Sequence, residues 1–137
     1  MSGPEAKPII LVVDDEASIR QAIGRILARA GHLYFEASDP NSAMGLADLY
    51  QFSLVLCDIN MPGGSGLEML RALRRRHPDI AVVMVTGIDN RGTAGAAAEF
   101  GAYGYVVKPF ESGELLAAVS NALKRREADI GNKAQRR

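Results

Sequence analysis

A chain of 137 residues is long enough for one domain with a proper core, and its 47% apolar and 23% charged content excludes a disordered polymer. Acidic and basic residues are equal in number but unevenly spread: residues 1–123 carry a net charge of −4 and residues 124–137 a net of +4. The body therefore lacks the basic footprint of a nucleic-acid-binding domain, and no direct nucleic-acid binding is expected of it.

Cys57 is the single cysteine, which excludes an intrachain disulfide and a multi-cysteine zinc site. Its place in an apolar run predicts a buried, inert thiol. Residues 1–7 read as a loose leader with no basic segment and no long apolar region, so no secretion signal is expected. No stretch approaches the roughly 20 apolar residues that span a bilayer. A cytoplasmic protein without membrane association is expected.

In chain order, residues 8–13 read as a strand that is apolar throughout, as in a sheet covered on both faces. Asp14, Asp15 and Glu16 then open a helix whose apolar stripe is Ile19, Ile23, Ile26, Leu27 and Ala30. Arg20, Arg25 and Arg29 lie off the stripe, and Gly31 is placed to stop the helix with a left-handed residue. Residues 33–37 form a second strand. Asp39 as N-cap and Pro40 at the first helical position start the second helix, with Ala43, Leu46, Ala47 and Tyr50 inward. The third strand covers residues 53–58, and residues 60–66, with Pro62, Gly63 and Gly64, read as a loop. Ser65 with Glu68 three residues on is a capping box for a third helix that buries Leu67, Leu70 and Leu73 and ends in Arg74, Arg75, Arg76 and His77. The fourth strand, residues 80–85, ends at Thr86 and Gly87. The helix at 90–100 is weak, because Gly92 and Gly95 each cost roughly 1 kcal/mol relative to alanine, and is expected to be the most mobile. Residues 101–104 turn into a fifth strand at 105–107. The last helix runs over 112–126 with Leu115, Leu116, Val119 and Leu123 inward, and residues 127–137 form a basic tail that frays or continues as a linker helix.

Five repeats of strand then helix predict an α/β fold: a parallel sheet with helices on both faces and right-handed crossovers. Periodicity leaves the strand order open. In such a sheet ligands bind at the carboxyl ends of the strands, and Asp14, Asp15, Asp58, Thr86 and Lys108 all fall at that end. Adjacent carboxylates on two strands suit a hard cation such as Mg²⁺, which takes one or two carboxylates plus phosphate oxygens. A carboxylate can attack phosphorus, a metal offsets the gathering negative charge, and a lysine pairs with a phosphate oxygen as a point charge. Taken singly, each residue has a plainer reading: either Asp14 or Asp15 as an N-cap, Lys108 as a loop lysine before Pro109, Thr86 as a β-branched strand residue. Their coincidence at one end of the sheet weakens those readings jointly.

Asp14-Asp15, the stretch from Asp58 through Ile59, Asn60, Met61, Pro62 and Gly63, then Thr86-Gly87 and Lys108-Pro109-Phe110, resemble the receiver domain of two-component response regulators over about residues 8–126. The resemblance implies a flavodoxin-like sheet of order 2-1-3-4-5. It implies Asp58 as phospho-acceptor, Asp14 and Asp15 as the acidic pair organising Mg²⁺ (or Mn²⁺), and Asn60 as the donor of a backbone carbonyl to the metal. Lys108 then pairs with the phosphoryl group, Thr86 is the switch hydroxyl, Tyr105 the switch aromatic and Pro109 a cis-proline turn. The implied donor is a sensor histidine kinase or a histidine phosphotransfer protein. The implied output is a changed face of the fourth helix, fifth strand and fifth helix (α4-β5-α5), read by an output domain or partner protein, or by a second copy in a phosphorylation-dependent homodimer. Such a domain phosphorylates and dephosphorylates itself and is not an enzyme with an external substrate.

Gly64 and Ser65 stand where the family's loop usually has Met and Asp, which predicts a more flexible loop. Ile88, two after Thr86, is apolar where some members place a group that orients water, which predicts slow self-hydrolysis. A haloacid-dehalogenase-type phosphatase would want Asp where Asn60 stands, and a flavodoxin-type flavin site would want a Ser/Thr-rich loop where Asp14, Asp15 and Glu16 stand. A receiver-like interaction domain that is never phosphorylated is the third alternative.

Overall fold

The computed structural model describes residues 7–61, 64–87 and 91–135. The expectations for the leader before residue 7, for Pro62, Gly63, Ile88 and Asn90, and for the Ser65 side chain as a cap lie outside the described residues.

Five parallel strands form the sheet: β1 (Ile9–Val13), β2 (Leu33–Ala37), β3 (Leu54–Asp58), β4 (Ala81–Gly87) and β5 (Gly104–Lys108). Their spatial order is β2-β1-β3-β4-β5, the flavodoxin-like order. Five helices connect and cover them: α1 (Ala17–Arg29), α2 (Pro40–Leu49), α3 (Gly66–Arg76), α4 (Arg91–Glu99) and α5 (Ser112–Gln135). Strand pleating divides the core in two, since successive side chains point to opposite faces. Leu11, Val13, Val55, Cys57, Val82 and Met84 pack with α2, α3 and Ala97 of α4. Ile10, Val12, Leu54, Leu56, Val83 and Val106 pack with Ile23 and Leu27 of α1 and Leu115 and Val119 of α5. Burying each such side chain contributes roughly 1.5–3 kcal/mol, so the two-sided sheet carries most of the stability.

Local signals at the helix ends act as read from the sequence. Asp39 Oδ1 accepts the Ser42 N–H at 2.8 Å, with Pro40 at the first helical position. Gly31 takes φ +86°, and the bonds from Gly31 N–H to Ala28 O and from His32 N–H to Leu27 O close a Schellman motif. Gly101, φ +101°, read from the sequence only as part of a turn, ends α4 in the same way, with bonds from Gly101 N–H to Ala98 O and from Ala102 N–H to Ala97 O.

Several expectations need correction. Glu16, not Asp14 or Asp15, occupies the N-cap position of α1, and no side chain caps that helix. The expected loop at 60–66 contains a short antiparallel ribbon that pairs Asn60–Met61 with Gly64–Ser65. Ala30 is exposed, because the helix has already ended beneath it. In α3, Met69 is buried and Leu67 only half-buried, since a stripe read at every third residue drifts off the face of a 3.6-residue helix. Tyr50 lies beyond α2, half exposed, with its ring 4.9 Å from that of Phe35. The fourth strand runs on through Thr86 and Gly87, and the fifth includes Gly104 and Lys108. Of the two alternatives for the tail, the helical one holds: α5 continues without a break to Gln135.

Candidate functional site

Strand register brings the acidic residues together. Val13 is level with Cys57 across the β1–β3 pair, so Asp14 and Asp58 follow side by side. Asp58 is level with Val85, Val85 with Val106, and Gly87 with Lys108, which sets Thr86 and Lys108 at the same rim. Carboxylate oxygens of Asp14, Asp15 and Asp58 lie within 4.8 Å of one another. Asp14 is 1% exposed and Asp58 6%, while Asp15 faces solvent.

Lys108 joins the two buried acids. Its Nζ lies 2.8 Å from Asp14 Oδ2 and 3.2 Å from Asp58 Oδ2. Asp14 Oδ1 accepts the Glu16 N–H at 2.9 Å, and Asp58 Oδ1 accepts the Asn60 N–H at 3.1 Å. The main chain of Asp14 is held as well: its N–H donates to Ala37 O at 3.2 Å and its carbonyl accepts from Arg20 Nη1 at 2.7 Å. Burial pushes the Asp58 carboxyl above the ordinary carboxylate range, and the nearby Asp14 adds to that. The Asn60 N–H and the Lys108 charge offset it only in part. Burial alone would lower the Lys108 ammonium, but the hydrogen bond to Asp14 and the charges of Asp58 and Asp14 outweigh it and hold it above the ordinary lysine range. The Cys57 thiol is fully buried and pushed up by burial and then by Asp58 and Asp14, so it stays a neutral thiol.

Thr86 is fully buried, and its hydroxyl donates to Gly87 O at a long 3.3 Å. Tyr105 is half-buried and, with Ala97, Ala98, Ala102, Tyr103 and Gly104, lines a cavity of about 200 Å³ between α4 and β5. The Lys108–Pro109 peptide is cis. Gly66 is required where α3 crosses the end of β3, because a Cβ there would sit 2.1 Å from Asp58 O. Asp14, Asp15, Asp58, Thr86 and Lys108 thus fall at one rim of the sheet, whereas Tyr105 lies further back in β5, level with Met84. Sequence reasoning missed the double engagement of Lys108, the role of Gly66 and the contact from Arg20. The only signal for Arg20 was a cationic residue off the apolar stripe, one and a half turns after the acidic pair.

The arrangement suits a hard cation. Two buried carboxylates and a third at the rim face one ammonium, leaving net negative charge among oxygen donors. That donor set suits Mg²⁺ or a similar ion.

The sequence profile of the response regulator receiver domain matches residues 10–120. The chain belongs to the family of response regulator receiver domains. It is 36% identical over 118 residues to the aerobic respiration control protein ArcA of Escherichia coli K12, a match that covers 86% of this chain and 49% of ArcA. It is 35% identical over 115 residues to the DNA-binding transcriptional regulator NtrC of Salmonella typhimurium, covering 84% of this chain and 24% of NtrC. This receiver domain therefore spans about half the length of the first of these relatives and a quarter of the second. Among solved structures, NtrX of Brucella abortus in complex with ADP superposes with a TM-score of 0.89 at 34% identity, over 93% of this chain and 30% of that one. The chemotaxis protein CheY4 of Vibrio cholerae gives 0.81 at 30% identity, over 85% of this chain and 99% of CheY4. Among the described residues, no helix of the receiver domain is long and apolar enough to cross a membrane.

Proposed function

We propose that Asp58 is the phosphoryl acceptor of this receiver domain, and that the donor is a phosphohistidine on a sensor histidine kinase or a histidine phosphotransfer protein. The observation that carries this reading is the convergence of the Asp14, Asp15 and Asp58 carboxylates within 4.8 Å, with Lys108 bridging the two buried ones. An Asp58 carboxylate oxygen attacks phosphorus; the bond from phosphorus to the histidine nitrogen breaks as the acyl phosphate forms, and the leaving imidazole takes up a proton. Lys108 shifts its pairing from Asp58 to a phosphoryl oxygen. Asp14, Asp15, Asp58 and the main-chain carbonyl of Asn60 would hold a Mg²⁺ or Mn²⁺ ion, which would supply positive charge against the transferring group.

Thr86 is the switch hydroxyl in this reading. Its present acceptor is a neighbouring carbonyl at 3.3 Å, a weak competitor for a charged phosphoryl oxygen. When Thr86 moves toward the phosphoryl group, Tyr105 turns inward beside it, next to the cavity it shares with Ala97 and Ala98. The α4-β5-α5 face then repacks and signals to an output domain or partner protein, or pairs with a second copy in a phosphorylation-dependent homodimer. The signalling unit is residues 8–126, the basic stretch 127–137 serves as a linker, and the protein works in the cytoplasm. It modifies itself and turns over no external substrate. Apolar Ile88 makes the acyl phosphate long-lived.

Intact mass after incubation with acetyl phosphate tests this. A phosphoryl adduct in the wild type that needs Mg²⁺ and is absent from Asp58→Asn is the expected result. No adduct from acetyl phosphate or from a phosphorylated histidine kinase, with Mg²⁺ present, would sink it. Decay of the adduct within seconds would overturn the long lifetime alone.

A further inference from the structure

We infer that Arg20, braced by Glu36, is a positioning residue that sets the relative direction of the Asp14 and Asp15 carboxylates. The inference rests on the proposed role of that pair at the phosphoryl site.

Asp14 and Asp15 lie between β1 and α1, outside both ladders, in a segment that no side chain caps. The carbonyl of Asp14 belongs to the planar peptide unit that joins the two residues, so a bond that holds that carbonyl restricts the ψ of Asp14 and with it the direction in which Asp15 leaves β1. Arg20 Nη1 holds it at 2.7 Å, the shortest of the three bonds that fix Asp14 outside its contact with Lys108. The same guanidinium donates through Nε to Glu36 Oε1 at 3.2 Å. One fork therefore ties α1 to β2 across the Asp14–Asp15 peptide, and its side chain is 18% exposed. Arginine can do this because its planar donors diverge in fixed directions; a lysine has one flexible point charge and cannot hold both acceptors in that geometry.

The direction of the effect separates positioning from bare charge. Arg20 adds positive charge near a cation site, so by Coulomb repulsion alone its removal would tighten Mg²⁺ binding. Positioning predicts the opposite. Partners that orient metal ligands are typically worth about 10–100-fold in metal affinity.

The test is an Mg²⁺ titration followed by the amide ¹⁵N shifts of Asp15 and Glu16, on wild type, Arg20→Ala, Arg20→Lys and Glu36→Gln. Arg76→Ala, which removes an ion pair to Asp48 between α2 and α3, controls for general loss of stability. The expected result is about tenfold weaker Mg²⁺ binding in Arg20→Ala, a smaller loss in Arg20→Lys and Glu36→Gln, altered Asp15 amide shifts before metal is added, and wild-type affinity in Arg76→Ala. Unchanged or tighter binding in Arg20→Ala overturns the inference while leaving the phosphoryl site intact. Should Arg20→Ala fail to fold, the half-exposed Glu36→Gln decides by the same criterion. Absence of Mg²⁺ binding in the wild type would instead overturn the reading of the site and the inference with it.

Discussion

Asp58 is held in a state that opposes its own ionisation. Burial raises its carboxyl pKa in the fold, and Lys108 and the Asn60 N–H recover only part of the cost. A carboxyl whose pKa is raised on folding binds its proton more tightly when folded. Its contribution to stability is thus fully present below the unfolded pKa and is lost as pH rises through the folded one. At neutral pH the metal-free protein carries the whole penalty. Asp58→Asn removes the charge and keeps an oxygen for the Asn60 N–H, so it should raise the Tm of the metal-free protein at pH 7. The gap should close as the pH falls below the ordinary carboxylate range. Thermal melts from pH 3 to 8 in chelator check this; a lower Tm for Asp58→Asn throughout would show that its pairing with Lys108 dominates. In the proposed function the same cost of burial favours phosphorylation, since a carboxylate destabilised as a bare anion would gain when a cation and a phosphoryl group arrive.

At the scale of elements, two glycines make opposite predictions for the same substitution. Gly66 opens α3 against the main chain of β3, where a new Cβ would stand 2.1 Å from Asp58 O and 2.7 Å from Ile59 Cα. Backbone cannot yield as a side chain does, so Gly66→Ala should destabilise by roughly 1–3 kcal/mol or more and shift the Asp58 and Ile59 amides. Gly95 lies on the exposed side of α4 with nothing within 4 Å of its Cβ position. Gly95→Ala should therefore stabilise by roughly 0.5–1 kcal/mol and slow amide exchange in α4. Denaturant unfolding of both variants checks the pair. A gain from Gly95→Ala that also slows the proposed switching would place the helix's low propensity in the service of its motion.

Across the whole molecule, the sheet separates the site from the exit of α5. The site occupies the carboxyl rim, while the last turns of α5 are tied to loops at the opposite end. Tyr103 donates its hydroxyl to Asp129, with the Arg125 guanidinium 4.2 Å and the Arg74 guanidinium 5.3 Å from its ring centre. Arg126 donates to Asp79 O at 2.7 Å and Lys133 pairs with the Asp79 carboxylate at 3.1 Å. The Lys133 pair is exposed and contributes little. Tyr103 is half-buried, so its bond matters more. Tyr103→Phe should keep the ring contacts, cost no more than roughly 1 kcal/mol globally and speed amide exchange specifically in residues 127–135. Uniform exchange rates in that stretch would mean that the helix stands by its own propensity.

Element order, the parallel sheet and the polar residues at its carboxyl rim were legible in the chain alone, because they depend on periodicity and on polar residues that end apolar runs. Caps at Asp39 and Gly31 were legible for the same reason: they act over three or four residues of one chain. Packing in three dimensions settled whatever depends on distance between separate elements. Register, which no local pattern encodes, brought Lys108 to both Asp14 and Asp58. The close crossing of α3 over β3 made Gly66 obligatory, and the approach of α1 to β2 turned Arg20 from a surface cation into a brace. The reach of α5 was also decided in three dimensions, since its polar last turns find partners in Tyr103 and Asp79 that lie 26 and 54 residues away in the chain from Asp129 and Lys133.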